Sequence, residues 1–292
     1  MPATQDGCMS HHHDQVHDDL HDHDKGLSHD LPRFLARRRL LTVLGGVGAT
    51  VAVAACGSDD GTSSASSGGD QSEPSSSSNA TVADEEIPEE TAGPFPGDGS
   101  NGPDALGQSG VVRSDITASF GDASGTAEGV PLTIRLKIRD VSGEDVSPYS
   151  GAAVYLWHCS REGEYSMYSE NVADQNFLRG VQEADETGAL EFTSIFPAAY
   201  DGRWPHIHFE VYPTLDDATS AGNRLRTSQI ALPEDVCKQV YENAEGYDAS
   251  VANLERTSLS TDLVFSDGYS LQMAKVTGSV EDGFVATLNV PV

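Results

Sequence analysis

"PAAYDGRWPHIHFEV", residues 197–211, decides how the chain is read. From His206 onward polar and apolar residues alternate strictly. Successive side chains of a strand point to opposite faces, so Ile207, Phe209 and Val211 share one face and His206, His208 and Glu210 the other. The apolar set is a core face. Two imidazoles side by side on the other face form a natural pair of metal ligands, but such pairs are as often plain surface or hydrogen-bonded residues. Alternation alone leaves both readings open.

Working outward, the same period of two recurs. "PLTIRLKIRDV" (131–141) alternates Leu132, Ile134, Leu136 and Ile138 with polar residues, and "SGAAVYLWHC" (150–159) reads as a more fully buried strand. "ADETGALEFTSI" (184–195) is a turn followed by a strand with Leu190 and Phe192 on one face. "RTSQIAL" (226–232) and "FVATLNVPV" (284–292) read as later strands. One short helix is expected in "LPEDVCKQVYENA" (232–244), with Val236, Val240 and Tyr241 on its buried face. Regular short strands between Gly/Pro/Asp turns indicate an all-β sandwich or barrel. The expectation is a β-sandwich of mostly antiparallel strands, with long loops around the site and little helix.

Composition narrows the partners. Against 46 Asp+Glu stand 17 Lys+Arg, a balance that excludes a phosphate-binding surface and hence nucleic acid. Of the ten histidines, seven lie before Cys56 (His11, His12, His13, His17, His21, His23 and His29), leaving His158, His206 and His208 downstream. The early ones sit in a His/Asp-rich stretch (10–30) read as a solvated leader, a compositional feature without periodicity. Cys8 lies in that leader. Cys159 and Cys237 are an even pair, which makes a disulfide plausible in an exported domain, and sequence alone leaves open whether the two meet.

"ARRRLLTVLGGVGATVAVAAC" (36–56) sets three arginines before an apolar run from Leu40 to Ala55, short for a membrane span and ending in small residues. That describes a signal peptide. Arg37-Arg38 before Leu40-Leu41 resembles a twin-arginine export signal, and Val53-Ala54-Ala55-Cys56 resembles a lipobox in which Cys56 is lipidated. Three parts follow: leader and signal (1–56), a flexible Ser/Gly/Asp-rich tether (57–84) and a folded domain (85–292). The expected location is the cell surface or another extracytoplasmic site, with membrane contact through the lipid anchor alone.

Tyr200 and Arg203 lie just before the His206 strand, and "SREGEYSMY" after Trp157 offers Tyr165 and Tyr168. Phenolate is a hard anionic oxygen donor suited to a highly charged cation such as Fe(III), and imidazole is an acceptable nitrogen partner. A free tyrosine ionises near pH ~10, so tyrosinate needs help that a bound cation supplies.

These residues resemble the intradiol ring-cleavage dioxygenases, the family of protocatechuate 3,4-dioxygenase and catechol 1,2-dioxygenase, here as a secreted bacterial branch. The resemblance lies in "TAGPFPGDG" (91–99) with "VRSDI" (112–116), in "GAAVYLWHCSREGEYSMYS", in "GALEFTSIFPAAYDGRWPHIHFEV" and in "TSQIAL". It implies a non-haem Fe(III) held by Tyr165, Tyr200, His206 and His208. The distance from Trp157 selects Tyr165 over Tyr168 as ligand. Arg203 matches an active-site arginine that stabilises developing negative charge, Gln229 a glutamine that orients that region, and Tyr200 takes up a proton when substrate binds. The implied reaction opens a catechol-type ring between its hydroxylated carbons with both atoms of O2, giving a cis,cis-muconate-type diacid. A homodimer or monomer is implied rather than a two-subunit assembly. The short loop between Tyr200 and His206 departs from the better-known enzymes and leaves the catechol unspecified.

Two other readings are weighed. A ferrous site of His206, His208 and Glu210 would be a two-histidine, one-carboxylate triad, yet it leaves Tyr165, Tyr200 and Arg203 idle. A metal-free surface β-sandwich module has no reason to gather these side chains. His158 and Glu210 are read as hydrogen-bonded structural residues.

Overall fold

The alternation in PLTIRLKIRD produces the longest described strand. β1 (Pro131–Asp140) buries Leu132, Ile134, Leu136 and Ile138, each at most 1 % exposed, and turns Arg135 and Lys137 to solvent. The computed structural model of the protein describes residues 85–219 and 224–292. The His-rich leader, the signal ending at Cys56 and the tether 57–84 lie outside the described residues.

After β1 come β2 (Ser147–Pro148), β3 (Ala153–Trp157), β4 (Arg179–Glu183), β5 (Ala189–Ile195), β6 (His206–Tyr212) and β7 (Arg226–Ala231). Two short helices follow, α1 (Glu234–Asn243) and α2 (Asp248–Glu255), and then β8 (Lys275–Ser279) and β9 (Gly283–Pro291). In the first sheet β2 and β5 both pair with one edge of β1, and β9 and β8 extend the other side. The β1–β9 pair is parallel, the exception in an otherwise antiparallel arrangement. The second sheet has the order β4-β3-β6-β7, antiparallel throughout. The expected all-β sandwich with little helix is the observed fold.

The main core draws on both sheets, with Leu132, Ile134, Leu136 and Ile138 meeting Val154, Leu156, Ile207, Phe209 and Val211. The opposite face of the second sheet is also covered. Tyr155, Trp157, Val181 and Tyr212 form a second cluster there with Tyr165, Leu106 and Val111. All seven residues of β6 are therefore buried, and its histidine face is not a surface. The cover is partly an N-terminal arm that leaves the end of β9, where Ile87 N–H donates to Pro291 O (2.8 Å), and reaches β7, where Glu90 N–H donates to Thr227 O (2.8 Å).

The structure adds elements that patterning did not suggest. β4 lacks an apolar alternation, and α2 is a second helix beside the expected α1, whose Val236, Val240 and Tyr241 are buried as anticipated. The pairing that the sequence left open is absent: Cys159 and Cys237 are both free and buried. Burial pushes both thiols up, Cys159 to about 12, so each behaves as a small apolar side chain rather than a nucleophile. Among the described residues no helix is long and apolar enough to cross a membrane.

Because no bridge joins the two thiols, reductant should leave the thermal midpoint unchanged. Loss of a native disulfide would cost about 2–5 kcal/mol, and a midpoint that falls by several degrees in reductant contradicts the free-thiol assignment.

Candidate active site

The site lies on the covered face of the second sheet, where three segments converge. β6 supplies His206 and His208, separated by one residue and hence on one face. The segment just before β6 supplies Tyr200 and Arg203. The loop after β3 supplies Tyr165, and it contains Met167 at φ 70, a left-handed conformation uncommon for a residue with a side chain.

Four donor atoms meet. Tyr200 Oη is 3.1 Å from His206 Nε2 and 3.5 Å from Tyr165 Oη. Tyr165 Oη is 3.5 Å from His206 Nε2, and the two Nε2 atoms are 3.1 Å apart. Tyr165, His206 and His208 are 2–3 % exposed, and Tyr200 is partly exposed, which places the open side next to Tyr200.

Neighbours fix the rings. His206 Nδ1–H donates to Trp204 O (2.5 Å), which leaves Nε2 as a bare lone pair facing the other donors. His208 lies opposite Trp157 in the β3–β6 register and stacks on the indole, centroids 4.9 Å apart and planes 5° from parallel. The arm approaches from the other side: a Cβ on Gly93 would come within 3.3 Å of His208 Cε1, so glycine lets the backbone pass close.

Arg203 stands at the edge of the cluster, Nη1 being 3.4 Å from His206 Nε2. Its Nη2 donates to Gln229 Oε1 (2.7 Å), and Gln229, opposite His208 in register, donates from Nε2 to Thr91 O (2.9 Å). Its Nε donates to Asp262 Oδ2 (3.0 Å). Asp262 is itself saturated by the N–H groups of Trp204 (2.7 Å), Val264 (2.8 Å) and Phe265 (3.2 Å).

Electrostatics follow from burial. Desolvation, then the neighbouring Tyr200, pushes the Tyr165 phenol well above its ordinary value, and desolvation also raises Tyr200 against the pull of Arg203. Desolvation, followed by Arg203 for His206 and by His206 for His208, holds both imidazoles well below theirs. Without a cation the set is two neutral phenols and two neutral imidazoles whose polar atoms crowd one point. Ligand bonds of about 2.0–2.2 Å to nitrogen and oxygen place neighbouring donors roughly 3 Å apart, the separation seen here. Hard phenol oxygens with imidazole nitrogens fit ferric iron.

The residues singled out by sequence divide cleanly. Tyr165, Tyr200, His206, His208, Arg203 and Gln229 come together. Tyr168 does not: its hydroxyl accepts from Gly97 N–H (2.8 Å) and donates to Asn101 Oδ1 (2.7 Å), away from the cluster. Glu210 is committed elsewhere, accepting from Tyr212 Oη–H (2.6 Å), Arg224 and Thr227 (3.3 Å each), so the histidine-carboxylate triad is not assembled. Among the described residues no group of three His, Cys, Asp or Glu gathers for a metal, and the four-donor set depends on its tyrosines. His158 is structural, bonded to Ser194 Oγ (2.6 Å) and Cys159 O (2.8 Å). Asp262 and the buried Arg179 were missed. Each lies in a stretch without periodicity, "SLSTDLV" and "FLRGVQ", and no local signal marks either.

Three comparisons bear on this arrangement. A family model described as "Dioxygenase" matches residues 111–213. Chlorocatechol 1,2-dioxygenase of Rhodococcus opacus is 41% identical over 64 residues, which are 22% of this chain and 24% of that protein. Catechol 1,2-dioxygenase 2 of Acinetobacter lwoffii is 30% identical over 144 residues, 43% of this chain and 48% of that protein. The chain thus spans less than half the length of these curated relatives. The solved intradiol ring-cleavage dioxygenase from Tetranychus urticae shares the fold at a TM-score of 0.51 and 24% identity, over 63% of this chain and 87% of that one.

Breaking the Arg203–Asp262 pair strands a buried charge. Asp262→Ala should cost about 3–5 kcal/mol in denaturant unfolding, and the paired replacement Arg203→Met/Asp262→Leu distinctly less. A loss below about 1 kcal/mol in the single variant would show that the pair is not desolvated as described.

Proposed function

We propose that the chain is a member of the intradiol ring-cleavage dioxygenase family and opens a catechol-type aromatic ring between its two hydroxylated carbons. Both atoms of O2 enter the product, a cis,cis-muconate-type diacid. The observation that carries this reading is the meeting of two phenol oxygens and two imidazole nitrogens, linked by contacts of 3.1–3.5 Å, beside a buried arginine.

Tyr165, Tyr200, His206 and His208 would hold a non-haem ferric ion. When bound, that ion supplies Lewis acidity toward the diol oxygens and draws electron density from the ring. The remaining work falls to the chain. Tyr200, at the partly exposed edge, is placed to accept a diol proton at Oη, and burial favours its neutral form once protonated. Tyr165, deeper and almost fully buried, stays in place. Arg203 faces the region where negative charge accumulates as the diol loses protons, and a preorganised cation there needs no reorganisation during reaction. Asp262 and Gln229 fix the guanidinium from behind, and Trp157 and the Trp204 carbonyl fix the two imidazoles. The near-complete burial of these groups keeps bulk water from the donors.

The same proposal places the enzyme outside the cytoplasm. A twin-arginine-type signal, a lipobox ending at Cys56 and the tether 57–84 support export with a lipid anchor, the folded domain beginning where the tether ends.

Turnover of a catechol under 18O2 should give a diacid carrying both labelled atoms. Tyr165→Phe and, separately, His208→Ala should abolish it while the far-ultraviolet circular dichroism is kept. Wild-type turnover by either variant would reject the ligand set.

A further inference from the structure

Arg179, at the start of β4, is 1 % exposed, yet none of the ion pairs among the described residues involves it. A buried guanidinium without a carboxylate is costly unless its donors are all taken. Here they are. A guanidinium carries five N–H groups. Nη1 donates to Pro96 O (2.6 Å) and Tyr155 Oη (3.2 Å), Nη2 to Phe95 O (3.0 Å) and Ser166 O (2.9 Å), and Nε to Ser166 Oγ (3.1 Å). Its Cζ also lies 5.5 Å from the centroid of the Tyr168 ring.

The partners fall into two groups. Phe95 and Pro96 belong to the N-terminal arm, whose Thr91 carbonyl holds Gln229 and whose Gly93 passes His208. Ser166 is the residue after Tyr165. The arm and the Tyr165 loop touch again where Phe95 lies 5.1 Å from the Tyr165 ring and where Tyr168 Oη accepts from Gly97 N–H. One planar cation therefore joins two segments about 70 residues apart in sequence, and both border the metal-ligating atoms. Lysine could not replace it, since an ammonium has three donors and no planar fork.

We infer that Arg179 is a positioning residue: it locks the arm to the Tyr165 loop, so that the Tyr165 phenol reaches its ligand position only when the arm is docked. This rests on the reading of Tyr165 as a ligand. A structural role confined to β4 would leave the arm and Tyr165 untouched when Arg179 changes. A lock makes both respond together.

The test uses the full chain with Arg179→Lys, and with Gly97→Ala as a second lesion from the arm side, where a Cβ would come within 2.7 Å of Arg179 Nη1 at φ +65. Hydrogen exchange of the metal-free proteins is read by mass spectrometry. Peptides covering 85–99 and 163–169 should lose protection together, at least tenfold faster in each variant, while peptides from β1 and β9 keep theirs. After ferric loading, Arg179→Lys should show a displaced or weakened tyrosinate charge-transfer band and at least a tenfold lower kcat with little change in KM. Unchanged exchange in both peptides, or loosening of only one of them, overturns the inference. So does a wild-type band in a variant whose arm has loosened. If the wild type itself shows no band after ferric loading, the iron reading fails, and the exchange result still decides whether Arg179 joins the two segments.

Discussion

β6 is buried on both faces, and most of the site follows from that constraint. One face carries Ile207, Phe209 and Val211 into the main core, where burial is its own reward in free energy. The other carries His206, His208 and Glu210, polar groups that cannot be hidden unless partners accompany them. β6 itself, β7 with the residues just before it, and the segment before β6 bring those partners. Glu210 receives Tyr212, Thr227 and Arg224, and His206 receives the Trp204 carbonyl. What the protein crowds together is also informative: the two Nε2 and two Oη atoms are linked by contacts of 3.1–3.5 Å, a spacing that suits four ligands around one cation.

The chain is strongly acidic, yet the two fully buried cations of this region, Arg179 and Arg203, sit beside the donor cluster. They differ in how they are neutralised. Arg203 has a carboxylate, Asp262, and an amide, Gln229, which fix its direction and leave Nη1 facing the reacting region. Arg179 has carbonyl and hydroxyl oxygens only, so its charge is solvated by the backbone it holds in place. A ferric ion held by two tyrosinates would keep one unit of positive charge, and a diol dianion bound as Tyr200 takes up a proton would cancel it. Arg203 would be the cation left to face negative charge that develops on the diol beyond that balance.

The legible parts of the fold were those whose signal is local. Alternation in 131–138 and 206–211 placed β1 and β6 and the two faces of each, because a strand's period is two whatever surrounds it. The tyrosines, histidines and Arg203 fall within 43 residues of Tyr165, and a resemblance over that span sufficed to group them. β4 was invisible because its Arg179 and Gly180 serve neighbours rather than a half-buried strand face. Asp262 was invisible because it reaches Arg203 across 59 residues of sequence from a stretch with no pattern. The cysteine pair stayed undecided because an even count says nothing about distance, and both thiols are core atoms. Even the histidine face was only half read: alternation separated it from the core without indicating that the arm covers it.

The central claim is that Tyr165, Tyr200, His206 and His208 form a ferric centre that takes a diol. Reconstitution of the purified protein with ferric iron, followed by visible absorption before and after adding catechol in the absence of oxygen, addresses it directly. The account predicts one iron per chain, a broad tyrosinate-to-iron band, and a shift of that band when catechol binds. Protein that retains no stoichiometric iron, or retains it without a visible band, would contradict it.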